Sequence, residues 1–182
     1  MKKLILLSLI TSSLLANNYA LENTPLSINN KTIGTIIIGT KFDIVKNDNN
    51  KSEIKLTGYR PKGGKAIYDT LGVLSNSVNL DDANAVKVIG TKVDDYDNTW
   101  EVVEIVASVD NTKITNKDII EDGKALFEER CGICHALHSY DEFSKNVWPS
   151  TIKSMQDNAS LDENEYYQVV KYLQRVAPGD DE

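Results

Sequence analysis

The chain has 182 residues, with 20 Lys and Arg against 27 Asp and Glu, a net charge of −7, and only two cysteines and two histidines. That length admits one medium domain or two small ones, and the acidity argues against a nucleic-acid partner. A basic face on a partner protein is the natural complement of such charge, which otherwise serves to keep the chain soluble.

The N-terminus reads as an export signal over residues 1–20. Lys2 and Lys3 form a positive start, residues 4–16 are apolar apart from Ser8, Thr11, Ser12 and Ser13, and Ala16 and Ala20 are candidate cleavage positions. Thirteen mildly apolar residues fall short of the roughly 20 a membrane-spanning helix needs, although an uncleaved anchor is the other reading of the segment. The mature protein is therefore expected in the periplasm, without a membrane span. Removing Lys2 and Lys3 makes it more acidic still.

Residues 21–31 are polar, rich in Asn and carry Pro25, which predicts a linker or an edge strand. A β-type texture follows over residues 32–113. Residues 35–38 are apolar and β-branched, 41–46 and 52–57 alternate around the turn Asn47-Asp48-Asn49-Asn50, and together these predict a hairpin. Residues 59–64 read as a loop, and 66–80 as one or two strands. A second hairpin is predicted from 85–93 and 99–109 around Asp94-Asp95-Tyr96-Asp97-Asn98. Ile38-Gly39-Thr40-Lys41 is echoed by Ile89-Gly90-Thr91-Lys92, a short hint of a repeat. Short strands with turns every 8 to 12 residues fit a small barrel or sandwich, and an SH3-like barrel fits the size best. This β-domain has no histidine or cysteine and reads as a structural or docking module.

Helical periodicity takes over after residue 115. Thr115 or Asn116 can cap a helix with Asp118 in its first turn, and Ile119, Ile120, Leu126, Phe127 and Cys131 recur at helical spacing, interrupted by Gly123. The helix leads into Cys131-Gly132-Ile133-Cys134-His135, which holds both cysteines and one of the two histidines. Two thiols one turn apart can each add to a vinyl group of haem, and the adjoining imidazole can then serve as proximal iron ligand. Covalent haem at Cys131 and Cys134, with His135 on the iron, is the reading these residues favour. A redox dithiol is expected beside a βαβ unit that is absent here, and a zinc site needs a fourth ligand beyond these three residues. With both cysteines bonded to haem, stability must come from packing and haem rather than a disulfide.

A last helix is predicted near residues 160–176. Ser160 and Glu163 have capping-box spacing, and Tyr166, Val169, Val170, Leu173 and Val176 share one face. For the sixth iron position, His138 lies three residues past His135 on the same side of the ring, a tether too short to reach the opposite face. Met155, twenty residues past His135, is the side chain that remains. Trp148, Ile152 and Met155 share the face of a helix that Pro149 can start. Met155 as distal ligand favours electron transfer, whereas an open distal position would favour ligand binding or sensing.

Gly123-x-x-x-Phe127-x-x-x-Cys131, together with Tyr172-Leu173, resembles the crossing of first and last helices in class I c-type cytochromes. Cys131 to Ala136, the Trp148-x-x-x-Ile152-x-x-Met155 segment, Ser160-Leu161-Asp162 and Lys171-Tyr172-Leu173-Gln174 resemble c-type cytochromes associated with trimethylamine N-oxide reductase respiration. The resemblance implies a multidomain β + α chain: an SH3-like β-barrel at 32–113, an all-α class I-like cytochrome c domain at 116–177, and an acidic tail at 178–182. It implies one haem c and a role as electron carrier rather than stand-alone enzyme. The implied partners are a quinol-linked membrane donor and a periplasmic molybdenum N-oxide or S-oxide reductase. Pentahaem members carry a further membrane-anchored tetrahaem part, so direct quinol oxidation is not expected of a chain with one haem motif. A haem-containing redox sensor or adaptor acting through the β-domain is the alternative.

Overall fold

The computed structural model describes residues 17–134 and 136–178. Most of the expected export signal, the proximal-ligand position His135 and most of the acidic tail therefore lie outside the described residues. What is described is a β-barrel followed by three helices: α1 (Asp122–Cys131), α2 (Trp148–Met155) and α3 (Glu163–Val176).

The strands are β1 (Asn18–Ala20), β2 (Thr24–Ile28), β3 (Lys31–Ile36), β4 (Lys41–Asn47), β5 (Lys51–Pro61), β6 (Ala66–Thr70), β7 (Val73–Leu80), β8 (Lys87–Val93), β9 (Thr99–Asp110) and β10 (Ile114–Thr115). Strands β5, β6, β7, β3, β2 and β9 form a closed antiparallel ring, because β9 pairs with β2 on one edge and β5 on the other. The predicted hairpins are β4–β5 and β8–β9. Alternation drives closure: in β5 the side chains of Ser52, Ile54, Leu56 and Arg60 are buried and those between are not. Of these, Ile54 and Leu56 meet Leu26, Ile36, Ile67, Val78, Val103 and Ile105 in one apolar core.

Several boundaries differ from the sequence expectation. Residues 21–31 are not a linker: β2 lies inside the ring, with Leu26 fully buried, so pairing on both edges outweighs a polar composition. The strand at 18–20 also belongs to the sheet, with Ala20 buried between β4 and β10. The predicted loop at 59–64 begins as strand, because buried Arg60 finds partners inside: its guanidinium donates to Glu101 (2.8 Å) and to the carbonyls of Gly64 (3.0 Å) and Ala83 (2.7 Å). The Gly39 and Gly90 echo is not a structural repeat, since Gly39 turns the chain at φ +72° between strands while Gly90 lies within β8.

The first helix starts later than predicted, at Asp122, because Asp118 accepts the Ile120 N–H in a local turn and Ile119 and Ile120 are buried ahead of it. The last helix is capped by Asp162 with Glu165, not by Ser160 with Glu163. Ser160 has φ +52°, outside the extended region an N-cap adopts, and the same motif recurs two residues on. Gly123 sits where expected: a Cβ there would lie 2.4 Å from the Gln168 carbonyl oxygen and 2.9 Å from the Tyr172 Cβ, so α1 and α3 cross at backbone contact.

Barrel and helices share a packed junction. Ile37 and Ile38 meet Ile119 and Tyr167, and Ile120 lies over Gly39. Asn23 accepts the Ile38 N–H and its own N–H donates to Asn164. Among the described residues no helix is long and apolar enough to cross a membrane.

Candidate functional site

The helical half has its own core, in which Phe127 of α1, Trp148 and Ile152 of α2, and Val169 and Leu173 of α3 are buried together. Trp148 is the hub: its ring meets Phe127 edge-on at 5.8 Å and Phe143 edge-on at 5.0 Å. Pro149 occupies the first turn of α2, as its fixed φ allows. This arrangement leaves a cleft of about 330 Å³ between α1 and α2, within the usual size range for ligand sites.

Cys131, on the last turn of α1, and Cys134 both line that cleft, and so does Met155 at the end of α2. The structure thus brings together three of the four residues singled out from sequence; His135 lies outside the described residues. Met155 is 42 % exposed while Trp148 and Ile152, on the same helix face, are buried. A thioether that merely filled the core would sit with them. Burial pushes the Cys131 thiol up from its ordinary pKa, so it remains protonated at neutral pH, while Cys134 is exposed.

These walls fit a flat, covalently held apolar group with polar edges. Phe127, Trp148 and Ile152 supply apolar surface, and two thiols open onto it. The buried Trp148 Nε1–H has no acceptor among the described residues. Arg130 lines the same cleft and reaches Glu165 at the start of α3 at 3.6 Å. Among the described residues no three His, Cys, Asp or Glu side chains are assembled to hold a metal ion directly.

His138, set aside above on chain length, also lines the cleft. Its Nδ1 lies 2.9 Å from the Glu142 carboxylate and its ring packs on Phe143 at 5.4 Å. Behind α1, the Tyr140 hydroxyl donates to Glu128 at 2.8 Å, and burial together with that carboxylate pushes its pKa up. The unmet Trp148 donor and the role of Asn146, described next, were not read from sequence. Trp148 carried a signal only as a member of an apolar face, and Asn146 carried none.

Asn146 precedes α2 and fastens it to the barrel. Its side chain accepts the Leu74 N–H (2.7 Å) and donates to the Gly72 carbonyl (2.8 Å), gripping the turn between β6 and β7. The wall bearing Trp148 and Met155 is therefore held from the β-half.

No protein-family model matches the chain, and no solved structure matches it. Curated proteins do. Cytochrome c-type protein TorY of Haemophilus influenzae is 26% identical over 140 residues, covering 72% of this chain and 38% of that protein. TorY of Escherichia coli O157:H7 is 24% identical over 147 residues (78% and 40%), and TorC of Escherichia coli K12 is 24% identical over 151 residues (79% and 39%). The chain spans about two fifths of the length of these relatives. Aligned stretches this long exceed the helical half and take in the barrel as well. The chain is homologous to the cytochrome c-type proteins TorY and TorC.

Proposed function

We propose that the chain is a periplasmic monohaem c-type cytochrome carrying electrons from a quinol-linked membrane donor to a terminal reductase of the molybdenum N-oxide or S-oxide kind. It is an electron carrier rather than a stand-alone enzyme. The observation that carries the reading is the convergence of Cys131, Cys134 and Met155 on one apolar cleft, in a chain homologous to cytochrome c-type proteins.

In this reading Cys131 and Cys134 hold one haem c by thioether bonds, His135 is the proximal ligand and Met155 the distal one. Haem iron supplies one-electron exchange when bound. The protein sets everything else. The soft Met155 sulfur favours the ferrous state and raises the potential, and its occupation of the sixth position excludes substrate. Phe127, Trp148 and Ile152 keep water from the inner face. Docking to each redox partner would be small and transient, below about 1,200 Å², and the acidic surface favours basic partner faces.

Export through residues 1–20 accounts for haem attachment outside the cytoplasm. Cleavage after Ala16 keeps β1, whereas cleavage after Ala20 would remove a strand paired with both β4 and β10. The expected mature N-terminus is therefore Asn17, which mass spectrometry of the exported protein would read.

Ferric absorption tests the ligation. The weak sulfur-to-iron band at the red edge is expected in the wild type and lost in Met155→Ala, with a lowered potential; a spectrum unchanged by the substitution overturns the assignment. Stopped-flow mixing of the reduced protein with candidate reductases tests the acceptor. The sensor or adaptor reading draws on β8, whose seven residues are all exposed and which, among the described residues, pairs only with β9, an open sheet edge for a partner. It gains if reductases accept no electrons from the protein while a partner protein binds in one redox state only.

A further inference from the structure

Residues 138–143, which follow the Cys-x-x-Cys-His sequence, form neither helix nor strand, yet rings grip them from two sides. On one side Tyr140 reaches α1 and α3. Its ring meets Phe127 at 5.8 Å, tilted by 43°, and Tyr172 edge-on at 5.8 Å, and its hydroxyl donates to Glu128 at 2.8 Å. Phe127 and Tyr172 belong to the helical core, and Tyr172 stands at the Gly123 crossing, so Tyr140 is keyed to the place where α1 and α3 touch.

On the other side Phe143 reaches α2. Its ring meets Trp148 edge-on at 5.0 Å and packs on His138 at 5.4 Å. Trp148 in turn meets Phe127 at 5.8 Å. Tyr140, Phe127, Trp148 and Phe143 are thus one chain of ring contacts that leaves the segment at residue 140 and returns to it at residue 143. Edge-on contacts between aromatic rings are directional, so such a chain fixes orientation as well as distance. The Tyr140 hydroxyl bond is exposed, where water can replace it, and the ring is the firmer hold.

Phe127 and Trp148 line the cleft, the first from α1, which carries Cys131, and the second from α2, which ends in Met155. The gripped segment starts three residues past His135. It is therefore tied at once to the chain that bears one expected iron ligand and to the helix that bears the other. We propose that Tyr140 and Phe143 are positioning residues: by clamping residues 138–143 between the α1–α3 crossing and Trp148, they set how His135 and Met155 face each other across the haem. This rests on the ligation proposed above.

In ferric haem the methyl protons resonate outside the range of the protein, and their order and spread follow the orientation of the two axial ligands about the iron. Proton NMR of the full-length haem-loaded protein, recorded well below the melting temperature of each variant, therefore reads positioning apart from stability. Tyr140→Leu and Phe143→Leu are each expected to change the order or spread of the methyl resonances. Tyr140→Phe, which keeps the ring and loses only the hydroxyl bond, is expected to retain the wild-type pattern. Tyr140 and Phe143 are both only partly buried, and if one Leu variant fails to fold the other carries the test. Ile54→Val, in the barrel core, lowers stability without touching the segment and is expected to leave the pattern unchanged. A lower melting temperature with an unchanged pattern in the Leu variants confines the rings to a structural role and overturns the proposal. So does a pattern that Ile54→Val alters equally, or that Tyr140→Phe fails to retain. The ligation is checked separately in the wild type: absence of covalent haem by denaturing mass spectrometry, or of the red-edge band, overturns the ligation itself and the clamp with it.

Discussion

Lys171 shows how far a single residue's role depends on contacts remote in sequence. It sits among apolar neighbours on α3 and is buried only because the barrel, through Asp69, closes over it. Burial pushes its pKa below the ordinary 10.5, outweighing the opposing pull of Asp69. Between the folded value and 10.5 the unfolded chain therefore holds a proton that the folded chain has shed, so this group makes stability rise with pH across that window. Below the window the folded state bears the full cost of the buried charge. Lys171→Met is expected to remove this contribution: relative to wild type, its stability falls through the window by up to about 1.4 kcal/mol per pH unit. Urea unfolding across the alkaline range reads the difference. Asp69 keeps two hydroxyl donors in the variant and is 42 % exposed, so it is not stranded. The five residues from Cys131 to His135, by contrast, point to a haem site through local spacing alone and Met155 by elimination, and the structure brings Cys131, Cys134 and Met155 onto one cleft. Nothing local marks Lys171 as buried.

Elements were legible where one periodicity governs a segment. Both hairpins and the apolar stripe of α3 follow from alternation and helical spacing, and the structure keeps them. The expectation failed where long-range pairing decides, as in β2, and where two equivalent motifs compete, as in the two capping boxes two residues apart at the start of α3. Gly123 is the most informative element-level residue, because its place in the sequence made sense only if two helices cross there. Its missing side chain lets α1 approach the Gln168 carbonyl. Gly123→Ala must push the helices apart, since backbone cannot swing aside as a flexible side chain could. A loss of about 1–3 kcal/mol is expected despite the better helix propensity of alanine. Denaturant unfolding of the haem-loaded protein checks it, and a stabilised variant would show that the crossing has room to spare.

At the scale of the whole molecule, the barrel reads as a brace for the cleft lined by Cys131, Cys134 and Met155. Four kinds of contact converge on the helical half from one side of it: the Asn146 grip on the β6–β7 turn, the Asn23–Asn164 hydrogen bond, the Lys171–Asp69 pair, and the apolar set of Ile37, Ile38, Ile119 and Tyr167. Of these, Asn146 lies two residues from Trp148 and so acts most directly on the wall that carries Met155. The two hydrogen bonds it makes to the β6–β7 turn go to backbone atoms, so their loss leaves a Leu74 N–H and a Gly72 carbonyl to find water, at about 1–3 kcal/mol. If the brace sets the distal wall, Asn146→Ala loosens Met155 as well as the fold. On the proposed ligation, carbon monoxide would have to displace Met155 before binding ferrous haem, so the expected result is faster carbon monoxide binding and a weaker red-edge band, beyond the loss in stability. Lys145→Ala, on the neighbouring residue but without the grip on the β6–β7 turn, serves as the control. A variant that loses stability while binding carbon monoxide at the wild-type rate would confine the barrel to a structural role. Faster binding in Asn146→Ala alone would make the β-half part of the machinery that tunes the iron.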